Sequence, residues 1–435
     1  MIVPLRRRLV NRLGRAVAAC ALGTAALPRA VCATTAPAAP PPSWREHTIA
    51  SALLKEDRRL LVALPAGYAT DRRSYPVLWL LDADDREQFD AAVANIAFLA
   101  ARGAIPPLIV AGVANGSDRT RDLTPAPDAT MRAINPTAGD MDRFLDFIEH
   151  EAKPVVATAY RTAPYTVLAG HSFGGLTGMN VAGRRPTMAQ AVIAMSPSLW
   201  FNNRALIGPW SAAIASRRTP LRLFSTRGGN EPLIDGSAGR FERRLDSLLA
   251  RRSRATVHFG HRRYPDDPHS LTPLQSLTDG LRFVFASYSM AVTDIDRLPD
   301  PYQADSTQWV RVMRGVEQQW ARRQRDFPAA AVGEDTTDRA LPESYFEVAP
   351  LLATINAGAG LAMARRAVAL RPRSATALRL LGQVHAVRGD TLLARTRLTE
   401  ALAHARASGD SAAVTAAEGA LRTLSSAPGG GPGRP

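Results

Sequence analysis

Residues 165–184 read YTVLAGHSFGGLTGMNVAGR, and this stretch decides the fold. Positions 170–174 (GHSFG) fit the pattern G-x-S-x-G, in which a buried strand turns sharply into a helix and exposes a serine hydroxyl at the sheet edge. Both flanks are present, because 165–169 is a short apolar run and 174–184 has helical character. The pattern predicts a nucleophile elbow with Ser172 as the nucleophile. The alternative is a glycine-rich turn with an unreactive serine, but the phosphate-cradling glycine patterns of nucleotide-binding turns are missing.

Apolar runs alternate with helical segments on both sides of this turn. Tyr75–Leu81 (YPVLWLL) and 108–113 are continuous apolar runs of the kind found in parallel sheets buried on both faces. Further strands are predicted at 47–55, 58–64, 191–194, 221–225 and 255–259, and helices at 86–102, 141–160, 238–251 and 271–285. This alternation predicts the α/β class, with an open sheet. Together with the nucleophile elbow it predicts an α/β-hydrolase fold with a mostly parallel central sheet at 44–289.

Residues 1–33 have the pattern of an export signal. Arginines at 6, 7, 8, 12 and 15 precede an Ala/Leu-rich run at 16–27, and Val-Cys-Ala at 31–33 suits signal-peptidase cleavage. The apolar run is shorter than the roughly 20 residues of a spanning helix, so no stable membrane anchor is predicted. A Pro-rich tether follows at 34–43. We expect a periplasmic or secreted protein that loses both cysteines, Cys20 and Cys32, with the signal.

The formal charge of +15 does not indicate a nucleic-acid partner. Six arginines lie in residues 1–33, and the other basic residues are scattered rather than clustered on one face with interleaved aromatic residues. No cofactor is predicted. His258 and His261 have the spacing of a metal-ligand pair but lack a third ligand, so we predict no metal and expect strand side chains that face solvent.

The C-terminal third of the chain is predicted to be helical. Residues 290–345 are expected to be a linker with an amphipathic helix at 306–327, and 346–424 a small all-α, tetratricopeptide-like segment. Leu361-Ala362 recurs as Leu393-Ala394 at a spacing of 32, close to the tetratricopeptide period. One such unit cannot bury its own apolar face, so it is expected to dock on the hydrolase domain or on a protein partner. Residues 425–435 are expected to be a disordered tail.

A serine nucleophile needs a histidine base and an acid, which follow it in this fold in the order Ser, Asp or Glu, His. Among the histidines after Ser172, His269 lies in a loop beyond the last predicted strand, where the base is expected. Glu231 and Asp235 both follow the strand at 221–225, and we favour Glu231 as the acid. Glu242 and Asp246 are expected on a solvated helix face.

The oxyanion formed on attack requires preorganised donors. The backbone amide of Phe173, directly after the nucleophile, is the first candidate. The second is expected from the loop after the third strand, and we name Ala83.

A series of motifs between residues 44 and 286 is similar to the putative esterase family, which includes enterochelin esterases and esterase D. The motifs are, in order, LLDADD, NGSDRTRDLTPAP, DRFLDFIEHEAKPVVATAYRTAPYTVLAGHSFGG, SPSLWFNN, GGNEP and YPDDPHS. The likeness is strongest to exported bacterial members. Ala83 stands where these often have glycine.

The resemblance implies Ser172 as nucleophile, His269 as base and Glu231 as the acid. It also implies that Arg119, Arg121 and Asp122 border the substrate cleft, although a loop ion pair is an equally weighted interpretation of those three. Trp200 is expected in the core or in the cleft wall.

The leading hypothesis is therefore an exported serine carboxylesterase that acts on a small-molecule ester, with a siderophore-type ester as a specific option. An acyltransferase would use the same triad and pass the acyl group to an alcohol. A non-catalytic scaffold acting through the helical repeat is the hypothesis from another class, and the presence of serine, acid and histidine argues against it.

Overall fold

The computed structural model describes residues 44–70, 72–252, 256–289, 306–333, 346 and 349–426. Within these residues, eight strands form one sheet in the order β1-β2-β4-β3-β5-β6-β7-β8. β2 pairs antiparallel with β1 and β4, and all other pairs are parallel. The strands are β1 (Trp44–Ser51), β2 (Glu56–Ala63), β3 (Tyr75–Leu81), β4 (Ile109–Val113), β5 (Thr162–His171), β6 (Ala191–Met195), β7 (Leu221–Gly228) and β8 (Val257–Tyr264). The predicted α/β class with a mostly parallel sheet is confirmed.

Helices cover both faces of the sheet. The helices of this part of the chain are α1 (Arg86–Ala101), α2 (Arg119–Leu123), α3 (Ala129–Ile134), α4 (Met141–Phe147), α5 (Lys153–Ala159), α6 (Phe173–Arg184), α7 (Ile207–Ala215), α8 (Pro232–Ala250) and α9 (Thr272–Val284). Alternate residues of β3 explain the two layers: Leu78 and Leu80 pack with α1 and α9, whereas Trp79 packs on the opposite side with α4, α6 and α8. A side chain period of two places successive residues on opposite faces, so an all-apolar strand requires cover on both.

The helix predicted at 141–160 is interrupted. α4 passes into one π-helical turn, Ile148–Ala152, before α5 begins, and Pro is among the first residues of α5. Proline lacks an N–H and cannot continue the regular hydrogen-bond ladder, which accounts for a local widening of the helix at this point.

The unit that contains the sheet, which the sequence predicts to be a hydrolase domain and which is called the hydrolase unit below, also includes residues beyond 289. Contacts divide the described residues into one unit at 44–289 and 326–333 and another at 306–325, 346 and 349–426. Phe327 packs against Tyr165 and Phe285, with ring centroids 5.3 and 5.4 Å away. A short helix, α11 (Ala329–Val332), follows in a stretch that the sequence predicted as part of the linker, beyond its one amphipathic helix. Burial of the Phe327 ring stabilises the packing of this segment on the unit, and a local sequence pattern does not reveal that contact.

The second unit is all-helical, as predicted. It contains most of α10 (Ser306–Asp326), followed by α12 (Ala349–Ile355), α13 (Ala357–Leu370), α14 (Ala375–Val387), α15 (Thr391–Ser408) and α16 (Ser411–Ser426). The recurring segments fall on α13 and α15, each followed by another helix. Trp309, Met313 and Val316 of α10 pack in one cluster with α12, α13 and α14. The amphipathic stripe of α10 is therefore packing surface.

The predicted export signal at 1–33, the tether at 34–43 and residues 427–435 of the predicted tail lie outside the described residues. The first two residues of that tail, Ser425 and Ser426, are helical because α16 continues to Ser426. Among the helices that are described, none has the length and apolar character needed to cross a membrane.

Candidate active site

Ser172 lies where β5 ends and α6 begins. Its backbone has φ 60° and ψ −115°, a strained conformation for a residue with a side chain. A Cβ on Gly170 would lie 2.6 Å from the backbone of Gly174, so the turn closes only with glycine at position 170. The Ser172 amide donates to the carbonyl of Met195 at 2.9 Å, which ties the turn to β6. The 170–174 motif therefore has the strand–turn–helix geometry that the sequence predicts.

Glu231 and His269 form a close pair at the same edge of the sheet. Glu231 Oε2 lies 2.5 Å from His269 Nδ1. Burial alone would raise the pKa of Glu231, but hydrogen bonds from His269, the Ser196 hydroxyl and a backbone amide hold that pKa below its usual value. An ionised carboxylate only accepts hydrogen bonds, so Nδ1 carries the proton and Nε2 is left as the acceptor. This tautomer is the one a general base requires.

The loop that carries Glu231 is bonded to the loop that carries His269. Gly229 N donates to Tyr264 O at 2.7 Å, and Asn230 donates from N to Asp267 O at 3.2 Å. A Cβ on Gly229 would lie 1.9 Å from the carbonyl oxygen of Pro265, so only glycine allows this approach. The two glycines of GGNEP thus permit the contact between loops that holds the acid against the histidine.

Asp235, the alternative acid, has different partners. Its carboxylate accepts from Arg227 Nε at 2.6 Å and from Arg263 Nε at 3.1 Å. Although partial burial opposes the shift, Arg263 and Arg227 hold the pKa of Asp235 below its usual value. The structure brings Glu231 to His269 and places Asp235 in a separate ion-pair cluster.

The expectation for Glu242 is wrong. Its side chain is 1% exposed and contacts Arg227 and Ser225 rather than solvent. α8 begins at Pro232, six residues before the predicted start, so more of the helix packs against the sheet than the pattern suggested. His261 lies 3.0 Å from Asp246 and 3.4 Å from Glu242. Among the described residues, no group of three or more His, Cys, Asp or Glu side chains could hold a metal ion.

Three residues near the pair were not singled out from the sequence. Ser196, with φ 41°, donates to Glu231 Oε1 at 2.7 Å, and Ser198 Oγ lies 3.3 Å from Ser172 Oγ. Both belong to SPSLW, which follows β6, the neighbour of β5. Polar residues directly after the adjacent strand were the available signal, because the carboxyl ends of parallel strands share one edge.

The third is His171, whose ring packs on the ring of His269 with centroids 4.2 Å apart. Burial, and then the neighbouring His269, lower the pKa of His171 to about 3. The described contacts of Ser172 do not include a hydrogen bond to His269. Catalytic hydrogen bonds are often long in unliganded sites and tighten in the substrate complex.

Of the two predicted oxyanion donors, the Phe173 amide has no intrahelical acceptor, whereas the Ala83 amide is already hydrogen-bonded. Phe173 is the first residue of α6, so its amide is among the helical N–H groups without an intrahelical acceptor. The Ala83 amide donates to Val113 O at 3.1 Å. In this conformation Ala83 is bonded to the sheet, and it could serve an oxyanion only by exchanging that bond.

Arg119 lies beside the elbow but is already paired. Its Nε and Nη2 donate to the two carboxylate oxygens of Asp82 at 2.6 and 2.8 Å, and Nη2 also lies 3.3 Å from the carbonyl of His171. The guanidinium stands 5.7 Å from the Phe173 ring centroid. Arg119 therefore braces the loop after β3 against the end of β5.

Asp122 is buried and does not border a cleft, contrary to the expectation from resemblance, whereas Arg121 is partly exposed and ion-paired. The Asp122 side chain is 0% exposed, and its carboxylate accepts from Arg58 at 2.6 Å and from Arg121 at 2.8 Å. Arg121 also donates to Glu56 at 2.6 Å. The reason is that β2 supplies Glu56 and Arg58 as partners from more than sixty positions away. In the resulting network the Arg58 and Asp122 side chains are buried, and those of Glu56 and Arg121 are partly exposed. The contacts of Arg121 and Asp122 are those of the ion-pair interpretation.

Trp200 is partly buried and belongs to an aromatic group at the elbow. Its ring centroid lies 6.0 Å from that of Phe173 and 6.3 Å from that of Phe201. It packs against the main core. Trp200 thus supports the residue that offers the candidate oxyanion amide.

Comparison with known proteins agrees with this architecture. Residues 51–235 match the family model described as Putative esterase. The siderophore triacetylfusarinine C esterase of Aspergillus fumigatus is 33% identical over 103 residues, 23% of this chain and 34% of that protein. The ferri-bacillibactin esterase BesA of Bacillus subtilis is 28% identical over 194 residues, 40% of this chain and 63% of that protein. The chain thus covers 34% of the first relative's length and 63% of the second's. Together with the family model, these matches support a relationship to the putative esterase family.

Solved structures extend the likeness in fold. An IroE-like serine hydrolase from Shewanella oneidensis has a TM-score of 0.56 at 24% identity, covering 80% of this chain and 99% of its own. An uncharacterised protein from Capnocytophaga ochracea has a TM-score of 0.58 at 16% identity, covering 82% and 93%. At these identities the likeness shows the fold alone: a hydrolase-type α/β sheet followed by an all-helical region.

Proposed function

We propose that this chain is a serine hydrolase that cleaves a carboxylic ester through an acyl-enzyme on Ser172. The observation that supports the proposal most is the Glu231–His269 pair, 2.5 Å apart at the sheet edge where the strained Ser172 stands. A strained serine at a strand-to-helix turn, with an oriented histidine in the following loops, is the arrangement that nucleophilic acyl transfer needs.

The reaction follows from these groups. Ser172 Oγ attacks the ester carbonyl while His269 Nε2 takes the hydroxyl proton, and the ionised Glu231 stabilises the imidazolium. The Phe173 amide donates to the oxyanion, and a second donor is required from the loop after β3. The tetrahedral intermediate collapses, the alcohol leaves with the proton from His269, and the acyl group stays on Ser172. Water, deprotonated by His269, then attacks the acyl-enzyme. The bond to Ser172 Oγ breaks, His269 returns the proton to that oxygen, and the carboxylic acid is released.

A substitution at the nucleophile tests the proposal. Ser172→Ala removes one oxygen and should lower the hydrolysis of a short p-nitrophenyl ester by a factor on the order of 10⁴ or more, since triad members act as a unit. Circular dichroism and thermal unfolding serve as controls for the fold. A variant that keeps a tenth of the wild-type turnover would exclude Ser172 as the nucleophile.

The substrate class has support from the relatives. One relative is named as a siderophore esterase and another as a ferri-bacillibactin esterase, so a siderophore-type ester is a candidate substrate. Against it stands the pairing of the nearby cations: Arg119 is bonded to Asp82, and Arg121 to Glu56 and Asp122. An anionic iron-bound ligand would have to compete with those carboxylates.

We also propose that the protein is exported. The support is the basic, apolar and small-residue pattern of 1–33. Expression of the full chain in a bacterium, followed by fractionation and N-terminal sequencing, should give a periplasmic or secreted product that begins at Thr34. A cytoplasmic product that keeps residues 1–33 would refute export.

The helical unit is proposed to be tetratricopeptide-like and separate from the chemistry. Its support is the recurrence on α13 and α15, and the location of every proposed catalytic residue before 289. Because 326–333 belong to the hydrolase unit, the informative truncation ends at Gly333. That shortened chain should hydrolyse a small ester at close to the full-length rate. A folded but inactive product would assign the helical unit a part in the site.

A further inference from the structure

A groove opens between the N-terminal ends of α1 and α9, beside the proposed catalytic residues. Its volume is about 360 Å³, within the range of small-molecule sites. The larger apolar side chains of its lining are Leu80, Met195, Leu271, Leu274 and Leu277. The groove lies wholly in the hydrolase unit.

The groove adjoins the reaction centre through both of its walls. Leu80 is on β3 and Met195 on β6, the two strands that flank β5, and the Met195 carbonyl accepts the Ser172 amide proton. Ser270 and Leu271, which also line the groove, directly follow His269. A ligand held on Ser172 therefore has this groove as a neighbouring space.

Two leucines of the groove are exposed without a folding reason. Leu271 is 64% exposed and Leu274 is 49% exposed, although both line the same groove as the buried Leu277. Leaving large apolar side chains in water forgoes the free energy of burial, and adjacent exposed apolar residues at a cleft mark a binding surface. An apolar group in the groove would cover them.

The charged side chains that line the groove are acidic and disfavour an anion. Asp85 and Glu87 line it, and both are exposed. The described cations beside this edge already have partners: Arg119 is bonded to Asp82, and Arg86 to Glu46. A negatively charged ligand would meet carboxylates of the same sign without an unpaired cation to offset them.

We infer that the ester cleaved at Ser172 is uncharged and carries an apolar arm that lies in this groove, against Leu271 and Leu274. The inference rests on the proposed hydrolase function and narrows its substrate class. It also predicts that anionic, metal-bound esters are poor substrates of this chain.

Two series of esters test the apolar arm and decide on which side of the scissile bond it lies. The first series varies the acyl group from p-nitrophenyl acetate to p-nitrophenyl octanoate, and the second varies the alcohol from ethyl acetate to octyl acetate. In one series kcat/KM should rise by about tenfold or more, because added methylenes enter an apolar site. The side that shows the rise identifies the arm as acyl or alcohol.

Substitutions locate the preference in the groove. Leu271→Gln and Leu274→Gln should each lower the ratio of kcat/KM for the longest over the shortest ester of that series. The matched control is Leu392→Gln, at an 80% exposed leucine of α15, which should leave the ratio unchanged. A rise that persists in both groove variants would overturn the assignment of the groove.

The charge requirement is tested with p-nitrophenyl hemisuccinate against p-nitrophenyl pentanoate, which differ mainly in one terminal carboxylate. The wild type should prefer the neutral ester, and Glu87→Gln should narrow the gap. An equal or greater kcat/KM for the hemisuccinate overturns the inference.

Different results would refute the apolar-arm inference and the hydrolase proposal. Ester hydrolysis that requires Ser172 but shows no rise in either series refutes this inference and leaves the hydrolase proposal intact. An absence of Ser172-dependent hydrolysis of every ester refutes the hydrolase proposal, and the inference with it.

Discussion

Glu231 Oε2 lies 2.5 Å from His269 Nδ1, and the other carboxylate oxygen of Glu231 accepts from Ser196 Oγ at 2.7 Å. One carboxylate therefore both fixes the tautomer of the histidine and is itself held by a residue from the next strand. Supporting hydrogen bonds of this kind keep a site within the narrow geometry that catalysis requires.

The acid is tested by paired substitutions. Glu231→Gln should lower kcat on the order of 10⁴-fold, because an amide does not stabilise the imidazolium and can favour the wrong tautomer. Asp235→Asn is the matched control, since Asp235 pairs with Arg227 and Arg263. Steady-state kinetics on a short ester give the ranking. A greater loss in Asp235→Asn would transfer the role to Asp235.

The buried ion-pair network is predicted to be structural. Asp122→Asn should lower the free energy of unfolding by about 3–5 kcal/mol, because it leaves the buried Arg58 with an incomplete partner set. The exposed Asp57→Asn on the same strand as Arg58 is the control. Denaturant unfolding measures the stability, and KM should change little. A raised KM at unchanged stability would restore Asp122 to the substrate site.

The buried His171 predicts that the free energy of unfolding decreases as the pH falls. In the fold its pKa is lowered from 6.5 to about 3, chiefly by burial. Between these values the unfolded chain binds a proton that the native protein excludes, so stability falls as the pH drops below about 6.5, by up to about 1.4 kcal/mol per pH unit. Above that pH the group contributes nothing to this dependence.

Unfolding midpoints at pH 7.5, 6 and 5 check this effect. His171→Asn should flatten the decline relative to the wild type, and His404→Asn, in α15 of the helical unit, serves as the control. A decline of the same slope in His171→Asn would show that other groups cause it.

Phe327 is predicted to stabilise the hydrolase unit although it follows the predicted domain boundary. Its ring is 1% exposed among Tyr165, Phe285 and Tyr288. Phe327→Ala should cost about 3–5 kcal/mol, as expected for a large ring removed from a core. Phe98→Ala is the control, since Phe98 is 53% exposed. Thermal unfolding of both variants measures the difference, and equal melting temperatures would contradict the packing role.

The sequence predicts the helices and strands better than it predicts which of them contact each other. β3 matches its predicted bounds because seven consecutive apolar residues allow no other assignment. The Arg58–Asp122 pair joins residues 64 positions apart, and no local pattern shows that β2 and α2 meet. The resemblance therefore placed Asp122 at a cleft, and the structure places it in the interior.

The same distinction explains the site. Ser172 is identified by a local motif, and His269 by its position in the loop beyond the last predicted strand. Both signals can be seen in the sequence without knowledge of which strands are neighbours. Ser196 and Ser198 reach Glu231 and Ser172 only because β6 lies next to β5 in the sheet. Strand order is a tertiary property, so these supporting hydroxyls could be located only as polar residues after a strand.

The identity of the nucleophile is the central claim, and covalent labelling tests it most directly. A fluorophosphonate should modify the wild-type protein at Ser172, as read by peptide mass spectrometry, and Ser172→Ala should not react. Ser198 provides the control because its Oγ lies 3.3 Å from that of Ser172, and Ser198→Ala should still be labelled at Ser172. A label found on Ser198, or one that persists in Ser172→Ala, would contradict the account.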